Sequence, residues 1–155
     1  MTKDFADFLD ALNSESVRYV VIGGMAVLSY LPYRTTRDID VLIDATAENA
    51  AAARRAVQRW GGFEPEFGVD DFLSGDIFSF GGLLRVEVHT QVPGARWEKV
   101  WERKVAGELG GVATHFVSLE DLIAMKEATG RPEKDLPDLK RLKLFRDRSG
   151  ESTDQ

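Results

Sequence analysis

The chain contains no cysteine. Disulfide scaffolds, structural zinc ribbons, iron–sulfur sites and thiol catalysis are excluded by that absence alone. Long hydrophobic runs are missing too. The longest apolar stretch, around Tyr19 to Leu31, is interrupted by Gly23-Gly24 and is too short and broken to span a bilayer. Nor is there an excess of positive charge. Twenty basic residues stand against 26 acidic ones, a net charge of −6 with an isoelectric point near 5.0. That argues against a surface built wholly for nucleic acid, while leaving room for a local basic patch. The opening residues Met1-Thr2-Lys3-Asp4-Phe5-Ala6-Asp7 form no apolar h-region, so no secretory signal is expected and the cytoplasm is the expected compartment. Internal repeats, low-complexity segments and interdomain linkers are likewise not seen.

What remains is an ordinary globular composition: 155 residues, 43% hydrophobic and 30% charged. Such a chain buries somewhat over half of its unfolded surface. One domain over residues 1–148 is expected, followed by a polar, disordered tail over 149–155. Phe5, Phe8, Leu9 and Leu12 recur at helical spacing, predicting a first helix that ends near Asn13-Ser14. Val17 to Ile22 reads as a buried strand. A short helix is expected from Met25 to Leu31, stopped by Pro32. Asp38 to Ile43 reads as a strand, and Thr46 is placed to cap an alanine-rich helix over Ala47–Trp60 that stops at Gly61-Gly62. Phe63 to Phe80 predicts short strands joined by loops. Leu84 to His89 alternates as a half-buried strand. Trp97 to Val105 predicts a helix and Val112 to Val117 a last strand. Ser118-Leu119-Glu120-Asp121 resembles a capping box opening a helix through Ala128. Gly130-Arg131-Pro132 breaks it, and a final helix carries Leu136, Leu139, Leu142 and Phe145.

The chemistry concentrates between Val20 and Asp44. Asp38 and Asp40, two apart on a strand, point to one face with backbones roughly 6–7 Å apart. Strands disfavour aspartate, and adjacent like charges repel. Such a pair either faces solvent on an exposed edge or is held by a cation, as in two-metal sites. A calcium EF-hand starting at Asp38 is ruled out, because Leu42 falls at its fifth position and the sixth-position glycine is missing. Gly23-Gly24 fits neither G-x-G-x-x-G nor the P-loop pattern. It is either a tight turn or a close backbone approach to phosphate at a helix start.

Taken together, a strand, Gly23-Gly24 and Arg34-x-Thr36-x-Asp38-x-Asp40 resemble the signature of the polymerase-β-like nucleotidyltransferases. Closer still, the pattern looks like that of the small bacterial members related to AbiEii-type toxins and minimal MNT-type proteins. Ser118 to Lys126, followed by Gly130 to Leu139, is similar to the C-terminal segment of the same proteins. The resemblance implies an α+β fold: a polymerase-β-like palm, a mixed twisted sheet with helices packed against it. It implies a third carboxylate on a neighbouring strand, for which Glu87 is the candidate. Arg85, Glu87 and His89 share the face opposite Leu84, Val86 and Val88. Relatives more often carry aspartate at that place, and outside the resemblance Glu87 reads as an ordinary solvent-facing residue. By the same resemblance Gly23, Gly24, Arg34, Thr36 and Lys126 would bind nucleotide. Asp135 and Asp138 match an accessory acidic pair. Without it, Lys126 reads as a snorkelling lysine on an amphipathic helix, Asp135 and Asp138 as partners of Arg131 and Lys134, and His115 as structural. His89 beside Glu87 carries no assignment. Many relatives have serine after the first glycine; Gly24 here leaves only backbone N–H donors.

The implied function is a metal-dependent nucleotidyltransferase. It would move an NMP from an NTP to an acceptor hydroxyl, on a tRNA 3′ end, a protein or a small molecule. Asp38, Asp40 and Glu87 would hold two Mg²⁺ ions, with Mn²⁺ as the alternative. The resemblance further implies a toxin with a cognate antitoxin and no membrane partner. Lys134, Lys140, Arg141, Lys143, Arg146 and Arg148 on the last helix form either an RNA-binding strip or a solvated face. The reading from a different class is a catalytically silent nucleotide- or protein-binding module, antitoxin-like in role.

Overall fold

A computed structural model describes residues 2–31, 36–81, 85–129 and 132–153. Pro32 and Arg34 lie outside them, so the helix stop and the phosphate role expected there fall outside the described residues. The order of elements is α1 (Thr2–Ser14), β1 (Tyr19–Ile22), α2 (Gly23–Tyr30), β2 (Asp38–Ile43), α3 (Ala47–Gly61), α4 (Val69–Leu73), β3 (Phe78–Phe80), β4 (Arg85–His89), α5 (Trp97–Glu102), β5 (Val105–Leu109), β6 (Val112–Phe116), α6 (Leu119–Ala128) and α7 (Pro132–Thr153). Helical backbone therefore reaches into the 149–155 segment expected as a tail. Among the described residues, no helix is long and apolar enough to cross a membrane.

The six strands among the described residues form one mixed sheet in the order β3-β4-β2-β1-β6-β5. β1 and β2 pair antiparallel, whereas β2 with β4 and β1 with β6 run parallel. Central β1, parallel to β6 and antiparallel to β2, is buried at every position, as expected of an interior strand covered by helices. β2 behaves differently on its two faces. Ile39, Val41 and Ile43 are fully buried, while Asp38 and Asp40 emerge on the other side. The same pleat on β4 buries Val86 and Val88 and turns Arg85, Glu87 and His89 outward. This is the α+β, polymerase-β-like sheet that the sequence implied.

The β1–β2 pair is locked at its open end by Asn49, a buried residue in the first turn of α3. Its side chain accepts the Arg18 N–H at 2.8 Å and donates to the carbonyls of Arg18 (3.1 Å) and Asp44 (2.9 Å). Thr46 caps α3 as expected, accepting the Asn49 N–H at 3.2 Å. Ser118 caps α6 in the same manner, through the Asp121 N–H at 3.1 Å.

Two segments differ from expectation. The 63–80 stretch contains α4 as well as β3. Asp71 accepts the Gly68 N–H at 2.7 Å, which starts the helical turn. The aromatic residues that favour a strand instead form a cluster, with Phe67, Phe72 and Phe78 ring centroids 4.3–4.8 Å apart. Helix α5 stops at Glu102, and Val105 opens β5, which forms a hairpin with β6. The connecting Gly110 and Gly111 both have positive φ, 58° and 83°, the backbone that a two-residue hairpin turn of the right twist requires.

Candidate active site

Parallel pairing of β2 with β4 sets Asp40 beside Glu87, Asp38 beside Arg85 and Leu42 beside His89. Of these, Asp38, Asp40, Arg85, Glu87 and His89 open into a cleft of about 580 Å³. Gly23, Gly24 and Thr36 line it at one side, and Lys126 closes it from α6. Of the residues singled out from sequence, the cleft thus unites Gly23, Gly24, Thr36, Asp38, Asp40, Glu87 and Lys126. Asp138 lies behind it, with its Oδ2 3.7 Å from Lys126 Nζ. Asp135 falls within α7, and its side chain is outside the described residues.

Each wall has a local cause. The β1 strand runs directly into α2 at Gly23, whose φ of +66° is left-handed. A Cβ there would meet Asp40 Oδ2 at 2.6 Å. Glycine is therefore what lets the turn and the carboxylate approach. Thr36 Oγ1 bonds both ends of the Asp38 peptide, accepting its N–H at 3.2 Å and donating to its carbonyl at 3.3 Å. That secures the first residue of β2. Glu87 accepts the Ser79 hydroxyl at 3.3 Å, and Arg85 lies 3.8 Å from the same oxygen.

The electrostatic centre is Asp40, Glu87 and His89. His89 Nε2 lies 3.0 Å from Asp40 Oδ1 and 3.5 Å from Glu87 Oε2. One donor atom from each residue lies within 4.8 Å of the other two. Burial by itself would raise the Asp40 carboxyl. Hydrogen bonds with His89 and Glu87, and the charges of His89 and Lys126, outweigh it and hold Asp40 below the usual carboxylate range. Glu87 moves up instead, first through its hydrogen bond with Asp40, then through burial and repulsion by the Asp40 charge. Two carboxylates forced together need a shared proton or a cation. The donor set therefore fits a divalent metal ion. Asp38 lines the same cleft one pleat away, outside that three-donor group.

His89 is the residue that sequence reading passed over. The signal was its i+2 spacing from Glu87; what was missing was the pairing that turns their common face toward Asp40. His115 is elsewhere, on β6 with its ring 5.5 Å from that of Trp101. Burial and the nearby Lys104 push its pKa down. On α7, Lys143 bonds Glu127 at 2.8 Å, and Arg146 approaches Glu120 and Asp147. These two cations of the basic strip are engaged by acidic neighbours.

A strand that turns through Gly-Gly into a helix, beside carboxylates from two parallel strands, defines a polymerase-β-like nucleotidyltransferase fold. The model of the family described as "Nucleotidyl transferase AbiEii toxin, Type IV TA system" matches residues 7–146. The chain belongs to that family, one of nucleotidyltransferase toxins acting in toxin–antitoxin pairs. A comparison with curated proteins found no match.

Proposed function

We propose that the chain is a metal-dependent nucleotidyltransferase, transferring an NMP from an NTP to an acceptor hydroxyl. The observation that carries this reading is the convergence of Gly23-Gly24, Asp38, Asp40, Glu87 and Lys126 on one cleft. Divalent cations of the Mg²⁺ or Mn²⁺ class, held by Asp38, Asp40 and Glu87, would neutralise triphosphate charge and acidify the acceptor hydroxyl.

The chain's own groups do the rest. Backbone N–H groups at the start of α2 face an anion favourably, because the helix dipole and the unsatisfied donors point the same way. Lys126 supplies a point charge for the phosphates, and Arg34 and Thr36 complete the nucleotide-binding set. Ile22, Leu122 and Met125 give the cleft apolar walls, which strengthen each charge interaction inside it. Most of the rate enhancement then comes from positioning and charge stabilisation. Asp135 and Asp138 are accessory. The biological setting we infer is cytoplasmic, as the toxin of a pair with a cognate antitoxin, acting on a tRNA 3′ end or a protein hydroxyl.

The test is incubation with each α-labelled NTP, Mg²⁺ and whole-cell extract, followed by separate nuclease and protease digestion. Label carried by RNA or protein, and lost in Asp40→Asn, supports transfer and names the acceptor. No label with any NTP, together with no metal-dependent NTP binding, leaves a silent binding module.

A further inference from the structure

The cleft contains an imidazole that the carboxylate set does not account for. His89 projects from β4 on the Glu87 face, and the parallel pairing of β2 and β4 brings that face against Asp40. Its ring is largely buried, with 12% of the side chain exposed. An octahedral ion with ligands at roughly 2.1–2.2 Å has neighbouring donors about 3.0 Å apart, and a tetrahedral ion somewhat farther. The His89 Nε2 distances to Asp40 Oδ1 and Glu87 Oε2, 3.0 and 3.5 Å, span that range. All three donors are drawn from two hydrogen-bonded strands, so the spacing is built into the sheet.

We propose that His89 is a direct ligand, with Asp40 and Glu87, in a three-donor cation subsite that favours first-row transition dications over Mg²⁺. The proposal rests on the metal-dependent reading above and goes further by naming a nitrogen donor and its consequence. Mg²⁺ takes oxygen ligands and keeps its waters. Imidazole adds affinity along the series from Mn²⁺ to Co²⁺ and beyond, but little for Mg²⁺. A histidine in this position therefore shifts the preference of the subsite, while Asp38 stays available for a second, all-oxygen ion.

The chain offers an unusually clean experiment, because it has only two histidines and His115 lies outside the cleft. The tag-free full chain is loaded with Mn²⁺ at pH 8 and studied by pulsed electron paramagnetic resonance. Nitrogen modulation from a coordinated imidazole is expected in wild type and in His115→Gln, and absent in His89→Gln. Calorimetry with Co²⁺ and Mg²⁺ alone gives the selectivity. Co²⁺ should bind at least about tenfold more tightly than Mg²⁺, and His89→Gln should remove most of that gap by weakening Co²⁺ about tenfold or more. Bound Mn²⁺ without nitrogen modulation overturns the proposal. So does an equal loss of Co²⁺ and Mg²⁺ in His89→Gln, which would make the histidine a positioning residue for Asp40. If label transfer with Mg²⁺ persists in either case, only this inference fails. If neither metal binds and no label moves, the transferase reading fails with it.

Discussion

Gly23 and Asp40 are neighbours across the β1–β2 pair, and the missing side chain of one is the space occupied by the other. A Cβ on Gly23 would lie 2.6 Å from Asp40 Oδ2 and 3.1 Å from its carboxyl carbon. Gly23 also has a φ of +66°. Gly23→Ala should therefore cost about 1–2 kcal/mol of stability through the left-handed backbone, and should also push Asp40 away from His89. Gly62→Ala is the control. Its φ is +68°, yet nothing lies within 4 Å of the added Cβ. Urea denaturation should show a loss for both variants, larger for Gly23→Ala because Asp40 is also displaced, whereas calorimetry should show lost cation binding for Gly23→Ala alone. Unimpaired binding in Gly23→Ala would mean that the contact has no bearing on the site.

The sequence made some of this legible and hid the rest for identifiable reasons. Asp38 and Asp40 declared a common face because strand side chains alternate, and Thr46 and Ser118 announced helix starts through local capping chemistry. These are short-range effects. His89 was passed over because its meaning depends on β4 lying parallel to β2, a pairing between segments more than forty residues apart in sequence. Strand β5 was missed although Gly110-Gly111 is a hairpin signal; the glycine at 107 and the charge at 108 masked its alternation. In 63–80, aromatic residues suggested strands, but their packing against one another accommodates a helical turn. Tertiary contacts decided each of these cases.

Asp38 and Asp40 should be equally needed for transfer and unequal in their effect on the folded state. Replacing either by asparagine removes charge worth several kcal/mol in the transition state, so NMP transfer should fall on the order of 10³-fold or more. Asp38→Asn should leave stability within about 0.5 kcal/mol, since Thr36 bonds the Asp38 backbone rather than its carboxylate. Asp40→Asn removes the carboxylate that His89 and Lys126 favour, and should lower stability at neutral pH. Labelled-NTP assays and thermal melts measure the two effects separately. Near wild-type transfer in either variant would remove the two-metal proposal.

The Asp40–Glu87 pair gives a pH dependence whose sign differs between its members. The Glu87 carboxyl is raised above its ordinary 4.5, so it binds its proton more tightly when folded. Its contribution to stability is full below the ordinary value and is lost as pH rises through the folded value. Asp40 is lowered from 3.8. Its contribution is present above that value and disappears as pH falls through the folded one. Glu87→Gln, which keeps the hydrogen bond and removes the charge, should therefore gain melting temperature relative to wild type as pH rises from about 4 to 7. That holds for protein stripped by a chelator. Saturating Mn²⁺ should reverse the order, because only the carboxylate holds the ion. Parallel melting curves for the two proteins across this range, with and without metal, would rule out the shared-charge account of the site.

Lys126 and Asp138 join the cleft to α7 through a nearly buried ion pair, with side-chain exposures of 10% and 5%. Two roles for the lysine can be separated by measuring stability and nucleotide binding on the same variants. Lys126→Met leaves Asp138 buried without this partner, which typically costs about 3 kcal/mol or more. If Lys126 also contacts the triphosphate, the NTP concentration needed for half-saturation should rise by the equivalent of about 1.5–3 kcal/mol, roughly ten- to a hundredfold. The combined variant Lys126→Met, Asp138→Leu replaces both charges by apolar groups and should recover much of the lost stability. It should not recover NTP binding, because the phosphate charge still lacks its counterpart. Equilibrium unfolding and calorimetric NTP titration of wild type, the single variants and the double variant complete the cycle. Recovery of both properties together would reduce Lys126 to a packing role, and so would an NTP affinity that never changed.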